Sequence, residues 1–131
     1  MYSRTVTVKL LDNYPALNMK MKANVRSIDM QYAYMEIERH LNHFMGTVFI
    51  VVDLTENEQL PIQATIAGAM FGPYLNPKIE QWLVVGEHRI GKQIAKQLLF
   101  WTGKERVEWF ESCEDCLAYI QQEVQQSAMI E

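Results

Sequence analysis

Three short apolar runs in the second half of the chain, each followed by a segment with helical character, most constrain the fold. The runs occupy residues 47–52, 82–85 and 106–110, and they are rich in β-branched and aromatic residues. Apolar runs of this length, bounded by Gly or Asp, are typical of strands buried on both faces. Strands that alternate with helices favour parallel strands joined by crossovers. The sequence therefore predicts an α/β domain with a covered central sheet.

The N-terminal part of the chain has a different rhythm, in which apolar and polar side chains alternate. This alternation runs through residues 5–10 and resumes over residues 17–23. A period of two is typical of strands with one face in the core and the other in water. The segment 12–15 between them, Asp-Asn-Tyr-Pro, has the composition of a turn. We therefore expect an antiparallel hairpin.

Four segments are predicted to be helical: the one that follows residue 26, residues 62–71, residues 88–101 approximately, and the one from residue 112 onwards. The first has apolar residues at spacings of three and four, namely Met30, Tyr34, Ile37, Leu41 and Phe44. The last is expected to bury Cys116, Leu117, Ile120 and Val124.

The ends of the first helix carry their own signals. Ser27 or Asp29 can cap its start, and Gly46 can end it in a left-handed conformation. The apolar strand that follows is expected to stop at Asp53, and the polar residues 55–59 are predicted to be a loop. The predicted order is β-β-α-β-α-β-α-β-α, with a mixed five-stranded sheet covered by four helices in a single domain, residues 1–131.

Composition narrows the class of protein. The chain has 131 residues, of which 49% are apolar and 21% charged, as in ordinary globular domains. A net charge of −4 without a basic cluster argues against nucleic acid as the partner. The N-terminus lacks the apolar stretch of a signal peptide, and no apolar run is long enough for a transmembrane segment. We therefore expect a cytoplasmic protein.

The order of elements and three stretches of sequence resemble the SpoIIAA-like proteins, relatives of the STAS domains of anti-anti-sigma factors. The stretches are Val-Val-Asp-Leu at 51–54, Pro-Lys-Ile-Glu-Gln-Trp-Leu-Val-Val-Gly at 77–86, and residues 107–120. The likeness spans residues 5–124. It implies a βα superhelix around a mixed sheet, and it implies binding of partner proteins or apolar small molecules.

One departure from that family bears on function. Anti-anti-sigma factors carry an Asp-Ser-Ser-Gly turn after the Asp-Leu strand, and its serine is phosphorylated by a kinase partner. The matching stretch here, residues 59–63, has no serine, and the nearest hydroxyls belong to Thr55 and Thr65. The resemblance therefore does not extend to a kinase-controlled switch.

Residues 86–92, Gly-Glu-His-Arg-Ile-Gly-Lys, closely resemble the sequence of a phosphate-binding loop. They follow a predicted strand and precede a predicted helix, as such a loop must. Two positions argue against nucleotide hydrolysis. Gln93 stands where a Ser or Thr hydroxyl should meet magnesium, and Glu87 places an acid beside the phosphates. The alternative interpretation is that Gly86 makes a turn. An anion site remains open, since helix N-termini attract anions and the segment carries three basic side chains, His88, Arg89 and Lys92.

Two further sets of residues can be interpreted as chemical sites or as purely structural features. Cys113 and Cys116 have the spacing of a redox pair, but Ser112 and Asp115 form a capping box around them, and neighbouring acids should raise a thiol pKa. His40 and His43 could share a metal with Glu36, although histidines in a last helical turn also complement the helix dipole. With no distant ligand to complete a set, we predict no metal.

Asp53 is the candidate functional residue with the clearest placement, because ligands of open α/β sheets bind at the carboxyl ends of strands. A turn-forming Asp is the plainer alternative. The predicted helix 62–71 is rich in small and apolar residues and ends at Gly72-Pro73, which suits a soft apolar ligand or a partner helix. The candidate ligand or partner contacts are Asp53, Thr55, Gln63, Phe71, Tyr74, Gly86 and His88.

The sequence thus predicts a non-enzymatic binding or regulatory module without cofactor. Its partner would be a protein or an apolar small molecule, contacted through the second predicted helix and the adjacent strand ends. An alternative is a small enzyme or anion-binding protein that uses Asp53 and the turn at 86–92. A third is a structural homo-oligomer, for example a homodimer, for which the hairpin of residues 5–23 offers an edge strand.

Overall fold

The computed structural model describes residues 5–59, 76–86, 96 and 107–130. In chain order the elements are β1 (Val6–Leu10), β2 (Ala16–Asn24), α1 (Ser27–Leu41), β3 (Val48–Gln59), β4 (Ile79–Val85), β5 (Val107–Phe110) and α2 (Cys113–Ile130). The predicted helices at 62–71 and 88–101 lie outside the described residues. The described part is therefore an α/β structure with five strands and two helices.

The five strands form one sheet in the order β1-β2-β3-β4-β5. β1 and β2 are antiparallel, whereas β2, β3, β4 and β5 all run parallel. The predicted hairpin and mixed five-stranded sheet are thus confirmed. In the hairpin turn Asn13 has a φ of 68°, a left-handed conformation that Asn tolerates better than most residues.

β3 is longer than predicted, and the expected loop at 55–59 is wrong. The strand continues to Gln59 because β2 also continues, to Asn24, and offers a parallel partner. Glu56 of this extension lies opposite Lys22 and forms an ion pair with Lys20. Polar composition favours a loop only where no neighbouring strand takes up the backbone hydrogen bonds.

The sheet separates two hydrophobic cores. On the face covered by α1, the buried residues of the helix, Met30, Tyr34, Ile37 and Leu41, pack with Met19, Ile50 and Trp82 of the strands. On the other face α2 places Cys116 and Ile120 against Phe49, Val51 and Leu83. Successive strand residues point to opposite faces, so the continuous apolar runs supply both cores, as a covered sheet requires.

The ends of α1 differ in part from the prediction. Asp29 caps the start from inside the first turn, since its Oδ2 accepts the N–H of Arg26 at 2.9 Å. The helix ends at Leu41, and Asn42 keeps a right-handed conformation (φ −64°). The expected left-handed end at Gly46 is wrong. The Nζ of Lys78 instead donates to the carbonyls of Leu41 (3.0 Å) and Phe44 (3.1 Å).

α2 begins at Cys113, one residue after the predicted start. Ser112 acts as its cap, because the Ser112 Oγ accepts the N–H of Asp115 at 3.2 Å. Cys116 and Ile120 are buried as expected, but the predicted burial of Val124 is wrong, since its side chain is 40% exposed. The main contacts of the helix with the sheet are to β3, β4 and β5. No helix in the described ranges is long and apolar enough to cross a membrane.

Candidate functional site

Asp53 lies inside β3, level with the end of β4. It is opposite Val85, the last residue of β4, while β3 itself continues for six more residues beside β2. The predicted end of the strand at Asp53 is therefore wrong for β3, but Asp53 does mark the carboxyl edge of the sheet on the side of β4. The residue is buried, on the face covered by α2.

The hydroxyl and the backbone of Thr55 hold one oxygen of the Asp53 carboxylate. The Thr55 Oγ1 donates to Oδ1 of Asp53 at 2.6 Å, and the Thr55 N–H donates to the same atom at 3.0 Å. The structure thus brings together two of the predicted site residues. Charge-assisted bonds of this kind compensate a buried carboxylate for the water it loses.

The other carboxylate oxygen faces the start of α2. The Cys113 Sγ lies 3.8 Å from Oδ2 of Asp53, a contact between residues sixty positions apart in the chain. Partial burial raises the pKa of the Cys113 thiol, and the Asp53 charge raises it further. Burial also raises the pKa of Cys116, to about 12, with smaller contributions from Cys113 and Asp53.

The cause of these thiol shifts differs from the one predicted. The sequence pointed to Glu114 and Asp115, which are neighbours of both cysteines. The negative charge that acts on both thiols is instead that of Asp53, which lies on β3 of the sheet. Because a thiolate is the reactive form, both cysteines are held in their less reactive protonated state at neutral pH.

A small cleft opens between the sheet and the start of α2, and we call it the α2 cleft. Its volume is about 160 Å³. The described residues that line it are Leu11, Asn18, Val51, Asp53, Cys113, Cys116 and Leu117. Most of these side chains present carbon or sulfur, so the cleft is apolar with a carboxylate and an amide among its walls.

Two charged side chains next to the cleft form an ion pair with each other. Lys20 lies opposite Asp53 in the register of β2 and β3, and it forms an ion pair with Glu56. The hydrogen bond and charge of each partner raise the pKa of Lys20 and lower that of Glu56. Both side chains remain ionised at neutral pH, so the charge of Lys20 is already balanced by a carboxylate of the same sheet.

The structure resembles that of an uncharacterized protein of the DUF3478 family from Shewanella loihica PV-4, which is described as having a SpoIIAA-like fold. The TM-score is 0.63 at 16% sequence identity, and the match covers 92% of this chain and 98% of the other. The chain has a SpoIIAA-like fold. No protein-family model matches the sequence, and no curated protein matches it either.

Within this SpoIIAA-like fold, Gly86 occupies the turn predicted for it. Its φ is +140°, and a Cβ added there would meet the backbone of Leu54 at 3.4 Å. Its N–H donates to the carbonyl of Phe110 at 2.9 Å. The residue therefore lets the chain leave β4 closely beside β3, where a side chain would be strained. The other predicted contacts, Gln63, Phe71, Tyr74 and His88, lie outside the described residues.

Of the seven described residues that line the α2 cleft, only Asp53 was a predicted contact, while Val51, Cys116 and Leu117 were expected to be buried core. Leu11 follows the first strand, Asn18 belongs to the face of the hairpin expected to lie in water, and Cys113 was considered as half of a redox pair or as part of a helix start. Each has an ordinary local pattern. A signal for them exists only in the strand order, which places the start of α2 over β2 and β3.

Proposed function

We propose that this chain is a non-enzymatic binding module that receives an apolar side chain of a partner protein in the α2 cleft. The observation that carries the proposal is the size and lining of the cleft, about 160 Å³ with mostly apolar walls. The site lies at the carboxyl edge of the sheet on the side of β4, where open α/β structures bind their ligands.

The size of the cleft favours a protein partner over an apolar small molecule. Pockets that enclose whole small ligands typically measure roughly 300–1,000 Å³, and the α2 cleft has about 160 Å³. That volume suits one aliphatic or aromatic side chain. The energetic centre of a protein interface is often a single apolar or aromatic anchor in such a depression.

The chemistry of the site supports binding rather than catalysis. Thr55 donates two hydrogen bonds to one oxygen of Asp53, so that oxygen is already engaged by a neighbouring residue of the same strand. The pKa values of Cys113 and Cys116 are raised, so neither thiol is poised as a nucleophile. The enzymatic alternative, which needs the turn at 86–92, stays a prediction.

A titration followed by ¹⁵N NMR tests the proposal with N-acetyl-leucinamide as a minimal apolar side chain and laurate as a lipid-like competitor. We expect N-acetyl-leucinamide to shift the amide signals of Asn18, Asp53 and Leu117, with a dissociation constant on the order of millimolar because the fragment is small. Laurate should bind no better, since its chain exceeds the cleft.

Leu117→Trp fills the cleft and should abolish these shifts, whereas Ile28→Trp places the same bulk on an exposed site of α1 and should bind like the natural chain. Circular dichroism of both variants verifies folding. Shifts that avoid the cleft, or that persist in Leu117→Trp, would refute the proposal. Tighter binding of laurate at the same residues would mean that the natural ligand is an apolar small molecule and not a protein partner.

A further inference from the structure

The backbone hydrogen bonds of the hairpin define which groups of β1 face outward. Leu11 donates its N–H to the carbonyl of Ala16 (2.9 Å), and Lys22 donates to the carbonyl of Thr5 (2.7 Å). In an antiparallel pair, bonded and non-bonded residue pairs alternate. Thr7 and Lys9 therefore also exchange hydrogen bonds with β2, opposite Lys20 and Asn18.

It follows that the alternate residues Val6, Val8 and Leu10 direct their N–H and C=O groups away from β2. In the described part of the chain β1 pairs with no strand but β2. These three residues thus present a row of outward donors and acceptors, which is a template for a further strand.

We infer that a second copy of this chain pairs with β1, antiparallel and about a two-fold axis at Val8. The pairing places Val8 opposite Val8 of the second copy and joins Val6 to Leu10 on either side. All three pairs are of the hydrogen-bonded type, so the outward groups of both copies are satisfied together. A two-fold axis makes the contact self-limiting, as in most homodimers.

The side chains of β1 suit this register. Leu10, which is 53% exposed, would lie against Val6 of the second copy on the face covered by α1. Lys9 would lie opposite Thr7, so that no two lysines face each other. Like charges directly opposite destabilise a sheet, and a shift of the register by two residues in one direction would place Lys9 opposite Lys9. A shift by two in the other direction would leave Leu10 without a partner in β1. The proposed register therefore pairs the whole of β1 without opposing two lysines.

Sedimentation velocity over a series from about 1 μM to about 1 mM tests the inference. We expect a concentration-dependent monomer–dimer equilibrium. Val8→Pro removes the central outward N–H without removing a hydrogen bond to β2, and edge strands tolerate such a proline. It should weaken the dimer at least about tenfold, because both copies lose a hydrogen bond. The control Val8→Thr keeps the N–H and should dimerise like the natural chain.

Hydrogen exchange measured by NMR on the natural chain locates the interface independently of any variant. The amides of Val6, Val8 and Leu10 should exchange more slowly at high concentration. The amides of Thr7 and Lys9, which donate to β2 in both states, should not change. A chain that stays monomeric throughout, or a dimer that leaves the exchange of Val6, Val8 and Leu10 unchanged, would overturn the inference. The α2 cleft plays no part in this test.

Discussion

At the scale of single residues, the Asp53 carboxylate makes one contact within its own strand and another with a residue distant in sequence. One oxygen accepts both hydrogen bonds from Thr55, two residues away. The other faces Cys113 at the start of α2. The local contact belongs to the turn chemistry that the sequence favoured for an Asp, whereas the distant contact sets the charge environment of the α2 cleft.

We predict that Asp53→Asn lowers the pKa of the Cys113 thiol. The substitution removes the negative charge that disfavours the thiolate, so a larger fraction of Cys113 is ionised at any given pH. The rate of alkylation by iodoacetamide, followed against pH by peptide mapping of Cys113, should therefore rise at lower pH than in the natural chain. The free energy of unfolding should fall by about 1 kcal/mol, since the amide replaces charge-assisted hydrogen bonds with neutral ones.

Glu114→Gln is the matched control, because it removes one negative charge from the residue next to Cys113 in sequence. Its alkylation profile should coincide with that of the natural chain. If Glu114→Gln shifted the profile and Asp53→Asn did not, the acids of α2 rather than Asp53 would govern the thiol.

At the scale of elements, a residue remote in sequence stabilises the C-terminal end of α1 by supplying a partner for carbonyls there. The ammonium of Lys78, just before β4, donates to the carbonyls of Leu41 and Phe44. The last carbonyls of a helix lack partners within it, and a cation there also complements the helix dipole. Lys78 thus joins the end of α1 to the start of β4.

Lys78→Met should lower the free energy of unfolding by about 1–3 kcal/mol, because it removes two charge-assisted hydrogen bonds while keeping most of the side-chain length. Urea denaturation measures the loss. The exposed Lys22 offers the control, since Lys22→Met should change stability by no more than about 0.5 kcal/mol. Equal effects of the two variants would mean that Lys78 does not stabilise the end of α1.

At the scale of the whole molecule, the sheet divides the hydrophobic interior into two cores that share strands but face opposite ways. Ile37 of α1 is fully buried in one core, and Ile120 of α2 is fully buried in the other. The two side chains have no packing partner in common among the members of these cores. Repacking on one face should therefore leave the other face undisturbed.

Ile37→Val and Ile120→Val should each lower the free energy of unfolding by about 0.5–1.5 kcal/mol, as is usual when one buried methylene is removed. The double variant should equal the sum of the two to within about 0.5 kcal/mol. Denaturant unfolding of all four chains measures the comparison. A larger departure from additivity would show that the two faces are energetically coupled through the sheet.

The fold class could be predicted from the sequence because it depends on local periodicity, and the SpoIIAA-like resemblance rested on the order of elements and three stretches of sequence. The alternation in the hairpin, the helical spacing from Met30 to Leu41 and the apolar run before Asp53 each report which faces of one element are buried. The turn at Gly86 could be predicted for a similar reason, since glycine is the residue that a left-handed backbone favours. These properties belong to short stretches of chain.

Only the tertiary structure decided how those stretches meet. The extension of β3 to Gln59 depends on the length of β2, the approach of Cys113 to Asp53 depends on the order of the strands, and the end of α1 depends on Lys78. Each joins segments that are separated in the chain, and the free energy of such a contact comes from burial and charge that no single segment contains. The sequence by itself therefore determined the kind of the described elements and most of their buried faces, while pairing, register and packing determined where those elements end and how they form the site.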